Sequence, residues 1–110
     1  QTEVLAFLAS KKVNLDMRIG AGMTMAHLAA AKGLEDIMSV LCEGHTDINL
    51  ANEAGNTAAM FAAKADNVTS LKLLLSYGAD ANTCRADGAT PLIMAAQNGH
   101  VECLKALLAH

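Results

Sequence analysis

The chain repeats its own pattern every 33 residues, and that period limits its fold more than any other feature. Thr24, Thr57 and Thr90 keep the spacing, as do Gly22, Gly55 and Gly88, the pairs Ala29-Ala30, Ala62-Ala63 and Ala95-Ala96, and the leucines Leu41, Leu74 and Leu107. So many matched positions do not recur by chance. A period of this size means stacked supersecondary units, each too small to bury its own apolar face.

Composition agrees with such a stack. Apolar residues make up 53% of the chain and aromatics only 3%, so burial has to come from closely packed Ala, Leu, Val and Met. Short helices at small separations suit that palette. No apolar run approaches the roughly 18 residues needed to span a bilayer, and the N-terminus lacks a secretory pattern, so a soluble, untargeted chain with no membrane partner is expected. The net charge is −3, no basic stripe is present and the aromatics are one Tyr and two Phe, which argues against nucleic acid as a partner. Cys42, Cys84 and Cys103 are odd in number and lack Cys-x-x-Cys spacing. Reduced thiols in a cytosolic or nuclear compartment are the simplest reading.

The last unit shows most plainly what one period builds. Asp87-Gly88 is turn chemistry, and Thr90-Pro91 is a helix cap followed by the residue best suited to the first helical position. Leu92, Ala95 and Ala96 fall on one face of a helix of about eight residues, and Gly99 supplies the left-handed residue that ends it. A second helix from about Val101 carries Val101, Leu104, Leu107 and Leu108 as its apolar stripe. In the middle unit, Ser76-Tyr77-Gly78-Ala79-Asp80-Ala81-Asn82 reads as a glycine stop and an extended exit towards the next Gly-x-Thr. That connection is expected to project as a hairpin-like finger.

Gly-x-Thr-Pro-Leu, Ala-Ala-x-x-Gly-His, Leu-Leu and Gly-Ala-Asp-x-Asn at this period resemble the ankyrin repeat, over essentially the whole chain. The resemblance implies an all-α solenoid of helix-turn-helix units with projecting β-hairpin-like loops. Residues 1–18 read as the second half of a truncated repeat, with Leu5, Leu8 and Val13 in register with Leu71, Leu74 and Ala79. Residues 19–51, 52–84 and 85–110 read as successive repeats, the last incomplete. Both ends fall inside a repeat, so a fragment of a longer array is expected, or end faces that meet another molecule.

The pattern also breaks. Met25 and Ala58 replace the helix-starting Pro, so those starts depend on Thr24 and Thr57 as caps. Asp66 stands where Gly33 and Gly99 stand and is expected to be left-handed at a cost of about 1 kcal/mol. His45 stands where Gly78 stands, which points to a shifted first exit loop. The middle unit is expected to be the least stable.

Residues with chemical potential mostly have scaffold duties. His100 and Cys103 share a helix face without a third ligand, and Cys103 falls at a core position. His27, in Thr24-Met25-Ala26-His27, resembles the family's structural tie between neighbouring turns, and no nucleophile and acid accompany it. Asp47, Asn49, Asp80 and Asn82 fit exit turns that bond local amides better than a calcium loop. Met38 is in core register, whereas Met23 holds a finger position from which an adaptable side chain can touch a partner. No catalytic residue, metal site or cofactor is nominated.

Function then belongs to positions the stack leaves free to vary. By resemblance to ankyrin domains these are the finger tips and the exposed side of the first helices: Arg18, Met23, Ala31 and Lys32; Glu53, Asn56, Lys64 and Ala65; Cys84, Asp87, Gln97 and Asn98. Arg18 and Lys32 make the first edge basic, while Asp87 with Gln97 and Asn98 makes the last one polar to acidic, a mixture that suits a protein segment. The resemblance implies a protein-protein interaction module without catalysis. The alternative is a regulatory or structural ankyrin segment of a larger enzyme or channel that docks on its own chain, and end-to-end self-association is a further possibility.

Overall fold

A computed structural model describes residues 20–44 and 47–110, with Ala21 described for its backbone alone. The expectations placed on Leu5, Leu8, Val13, Arg18 and His45 lie outside the described residues.

Each unit begins at its threonine. Thr24, Thr57 and Thr90 have extended backbones and precede α1 (Met25–Lys32), α3 (Ala58–Ala65) and α5 (Pro91–Gln97). The Thr57 hydroxyl accepts the Met60 N–H at 3.4 Å and the Thr90 hydroxyl accepts the Ile93 N–H at 3.2 Å, which satisfies amide donors the helix itself leaves unpaired. At α1 a residue one turn in does the complementary job: His27 Nδ1 accepts the Thr24 N–H at 2.9 Å.

The three helices end alike. Gly33, Asp66 and Gly99 are left-handed, with φ of 69°, 60° and 69°. Asp66 is the non-glycine residue with positive φ among the described residues, as its place in the repeat predicts. The turn lets the N–H groups of Leu34, Asn67 and His100 reach the Ala29, Ala62 and Ala95 carbonyls, each at 2.9 Å. It also reverses the chain into α2 (Glu35–Glu43), α4 (Val68–Ser76) and α6 (Val101–Leu108).

Helices α1, α3 and α5 pack side by side in one layer, and α2, α4 and α6 form a second layer against them. Alanines sit at the centre: Ala29, Ala30, Ala62, Ala63 and Ala95 are all buried, whereas Ala96, the other half of the third pair, is exposed. Small residues there let neighbouring helices approach closely. Met38, Leu41, Leu71, Leu74, Cys103 and Leu107 fill the space between the layers, so Met38 and Cys103 are core residues, as their register predicts. The result is an all-helical stack with principal extents of 39 × 26 × 20 Å. Among the described residues no helix is long and apolar enough to cross a membrane.

Polar side chains join the units. Asn67 Nδ2 donates to the Ala30 carbonyl at 2.6 Å and to that of Ala31 at 3.2 Å, and one period later the His100 Nδ1 lies 2.9 Å from the Ala63 carbonyl. Each caps the exposed carbonyls at the end of the preceding unit's first helix. The exits behave as Asx turns: Asp47 Oδ1 accepts the Asn49 N–H at 3.0 Å and Asp80 Oδ1 accepts the Asn82 N–H at 2.8 Å. Asn49 Oδ1 then accepts the Asp80 N–H at 2.7 Å and ties one exit to the next.

Candidate functional site

The fingers are closed by short backbone bonds. In the second unit the Gly55 N–H donates to the Asn52 carbonyl at 3.0 Å and the Asn52 N–H to the Asn56 carbonyl at 2.9 Å. The third repeats this with Gly88 to Arg85 and Arg85 to Ala89, each at 2.9 Å. This is a three-residue hairpin loop, a tight turn followed by a left-handed glycine, and Gly55 and Gly88 have φ of 85° and 88°. The expected finger is present.

A groove opens between the finger and the first helix of the third unit. In the third unit Arg85, Asp87, Gly88 and Ala89 of the finger face Ile93 and Gln97 of α5 around an open pocket of about 290 Å³. Polar groups make up more of its lining than apolar ones. The Arg85 guanidinium donates to Asp87 through Nη2 at 2.6 Å and Nε at 3.2 Å, and through Nη1 to Asn56 Oδ1 of the preceding finger at 2.9 Å. The hydrogen bond from Arg85 and a second from the Ala89 N–H hold the Asp87 carboxyl below its ordinary range. The last finger therefore carries a neutralised pair, where the sequence pointed to an acidic edge.

The structure places the nominated residues in two groups. Lys32, Glu53, Lys64, Ala65, Cys84, Asp87, Gln97 and Asn98 are exposed, and Ala31 is half-buried. Of these, Asp87 and Gln97 line the pocket, the Asn98 side-chain amide donates to the Met94 carbonyl at 2.8 Å and the Cys84 thiol to the Arg85 carbonyl at 3.3 Å. Met23 and Asn56 are instead drawn into the stack. Met23 Sδ accepts from Asn52 Nδ2 at 3.2 Å, and Asn56 meets His27, Asn52 and Arg85 at once. Arg18 lies outside the described residues.

Two groove residues escaped the sequence reading. Arg85 holds the position that Asn52 holds in the unit before, and the change from amide to guanidinium was the available signal. Ile93 is 41% exposed, whereas His27 and Met60 at the same register are each 1% exposed. Register alone does not separate Ile93 from these two, because sequence does not show which side of a unit is covered.

The residues considered for chemistry are occupied. His27 Nε2 lies 2.9 Å from the Asn56 carbonyl, which only accepts, so Nε2 carries the proton and Nδ1 takes the Thr24 N–H. His27 also meets Phe61 edge-on at 5.7 Å. Cys103 is buried with its Sγ 3.5 Å from Asp66 Oδ1, and burial first, then Asp66, pushes the thiol up to about 11.

The family model of ankyrin repeats (3 copies) matches residues 1–83 and again residues 27–110. Among curated proteins, none matches the chain. Ankyrin repeats are, as a rule, protein-protein interaction modules.

Proposed function

The chain belongs to the ankyrin-repeat family, and on that premise we propose that it is a protein-binding module, without catalysis of its own, that takes a partner segment in the groove between fingers and first helices. One observation carries the reading. The polar residues Thr24, His27, Asn67 and His100 are consumed by caps and ties between units, while Lys32, Glu53, Lys64 and Gln97 are exposed. Stacked repeats hold a partner on such a surface because the scaffold leaves it free. Its mixture of charges and small apolar residues suits a protein segment.

The test is site-specific photo-crosslinking in cells. A photoreactive residue at Lys64 or Gln97 is expected to trap a partner, and the adduct should be lost when Lys32 and Asp87 are charge-reversed. Adducts that form only from Lys72 or Lys105 on the second helices would place binding elsewhere and sink the assignment.

Association through the outer face of the third unit is a second reading with its own observation. Leu108 is 71% exposed, whereas Leu75 and Cys42 at the same register are 4% and 5% exposed, and Ile93 shows the same contrast. Sedimentation velocity over a concentration range decides it: Leu108→Lys should abolish any dimer, and a monomer at high concentration dismisses the reading.

A further inference from the structure

Taking the groove as the binding surface, a reading this inference rests on, we propose that its partner is an extended acidic protein segment whose carboxylates lie against Lys64 and Lys32. Lys64 holds in the second unit the register position at which Gln97 lines the pocket in the third. Ala31 holds it in the first unit, with Lys32 the next residue along. Lys64 thus holds the pocket-lining register, and Lys32 stands one residue beyond that register at the end of the neighbouring helix.

The charges of the groove set the sign of the partner. The described ionisable residues among the nominated positions, taken with Arg85, are the cations Lys32, Lys64 and Arg85 against the carboxylates Glu53 and Asp87, with the exposed Asp66 two residues beyond Lys64, on a chain whose net charge is −3. Arg85 is spent on Asp87 and Asn56. Lys32 and Lys64 are exposed and, among the described residues, make no ion pair. They are the cations available to an incoming group.

Shape selects an extended chain. Each lysine has an alanine beside it, Ala31 next to Lys32 and Ala65 next to Lys64, so a backbone can pass close to the helix ends. Neighbouring helices pack about 8–10 Å apart, and an extended chain advances about 3.3 Å per residue, so carboxylates two or three residues apart match the two ammonium groups. Carboxylates fit better than phosphates, because forked recognition of phosphate draws on free guanidinium groups and that of Arg85 is taken. A nucleic-acid strand would find almost no aromatic surface for its bases.

A random peptide library displayed on phage, in segments of about twelve residues that extend to about 40 Å, matches the 39 Å length of the stack. It is selected on the whole chain and on the Lys32→Glu/Lys64→Glu double variant, whose melting should equal that of the parent. Selection on the parent is expected to enrich Asp and Glu in pairs two or three residues apart. The selected peptides should bind the double variant about tenfold more weakly and lose affinity as salt rises. Peptides that are weakened by Gln97→Arg yet show no acidic enrichment overturn this inference and leave the groove reading standing. Peptides indifferent to every groove substitution, or no enrichment at all, overturn both.

Discussion

His27 reaches from the first turn of one unit into the finger of the next, its Nε2 2.9 Å from the Asn56 carbonyl, across 29 residues of sequence. The same ring closes the start of its own helix through Thr24. One side chain thus sets both a cap and the spacing between neighbouring units. His27→Ala removes a buried ring, its contact with Phe61 and its hydrogen bonds to Thr24 and Asn56, and should cost about 3 kcal/mol in urea unfolding. A loss under 1 kcal/mol would mean that the tie contributes little.

The left-handed helix ends make two predictions of opposite sign. A Cβ at Gly33 would stand 2.9 Å from Asn67 Oδ1 at a φ of +69°, so Gly33→Ala should destabilise the stack by about 1–2 kcal/mol and loosen the Asn67 bond to Ala30. Asp66→Gly relieves the backbone at the equivalent position for the loss of one long contact to Cys103, and should raise stability by up to about 1 kcal/mol. Thermal unfolding of both variants checks the pair.

Ser70 is a flaw in the core. Its residue is 0% exposed and its hydroxyl has no hydrogen-bond partner among the described residues, at the register where Ile37 and Cys103 stand in the other units. Ser70→Ala should therefore stabilise the chain by about 1 kcal/mol, since an unpaired buried hydroxyl costs more than its removal. Destabilisation in chemical unfolding would show that the hydroxyl does find a partner.

The thiols should separate by reactivity. Cys84 is exposed, whereas Cys42 and Cys103 are buried, and burial raises both of the latter, Cys103 to about 11. At pH 8 the thiolate fraction of Cys103 is about one in a thousand, so iodoacetamide should label Cys84 first and the others only on unfolding. The sign of the linkage follows. Folding raises the Cys103 value from 9.0 to about 11, so its contribution is intact below pH 9.0 and is lost as pH rises through about 11. Cys103→Ala should flatten that part of the stability profile.

The scaffold is legible in the order of residues, because capping and turn formation are local chemistry. Thr90 before Pro91, a left-handed residue at Asp66 and a glycine at Gly88 act within one turn of their own position, so a repeated pattern specifies the helices, their ends and the fingers. Tertiary structure decided which polar residues remain free. Asn56 and Met23 read as finger tips, yet groups 29 residues away claim them; Asp87 read as a bare charge, yet Arg85 and the finger backbone neutralise it. Ile93 shares a register with two buried residues and is exposed, because burial depends on what packs against a face and not on the residue that forms it.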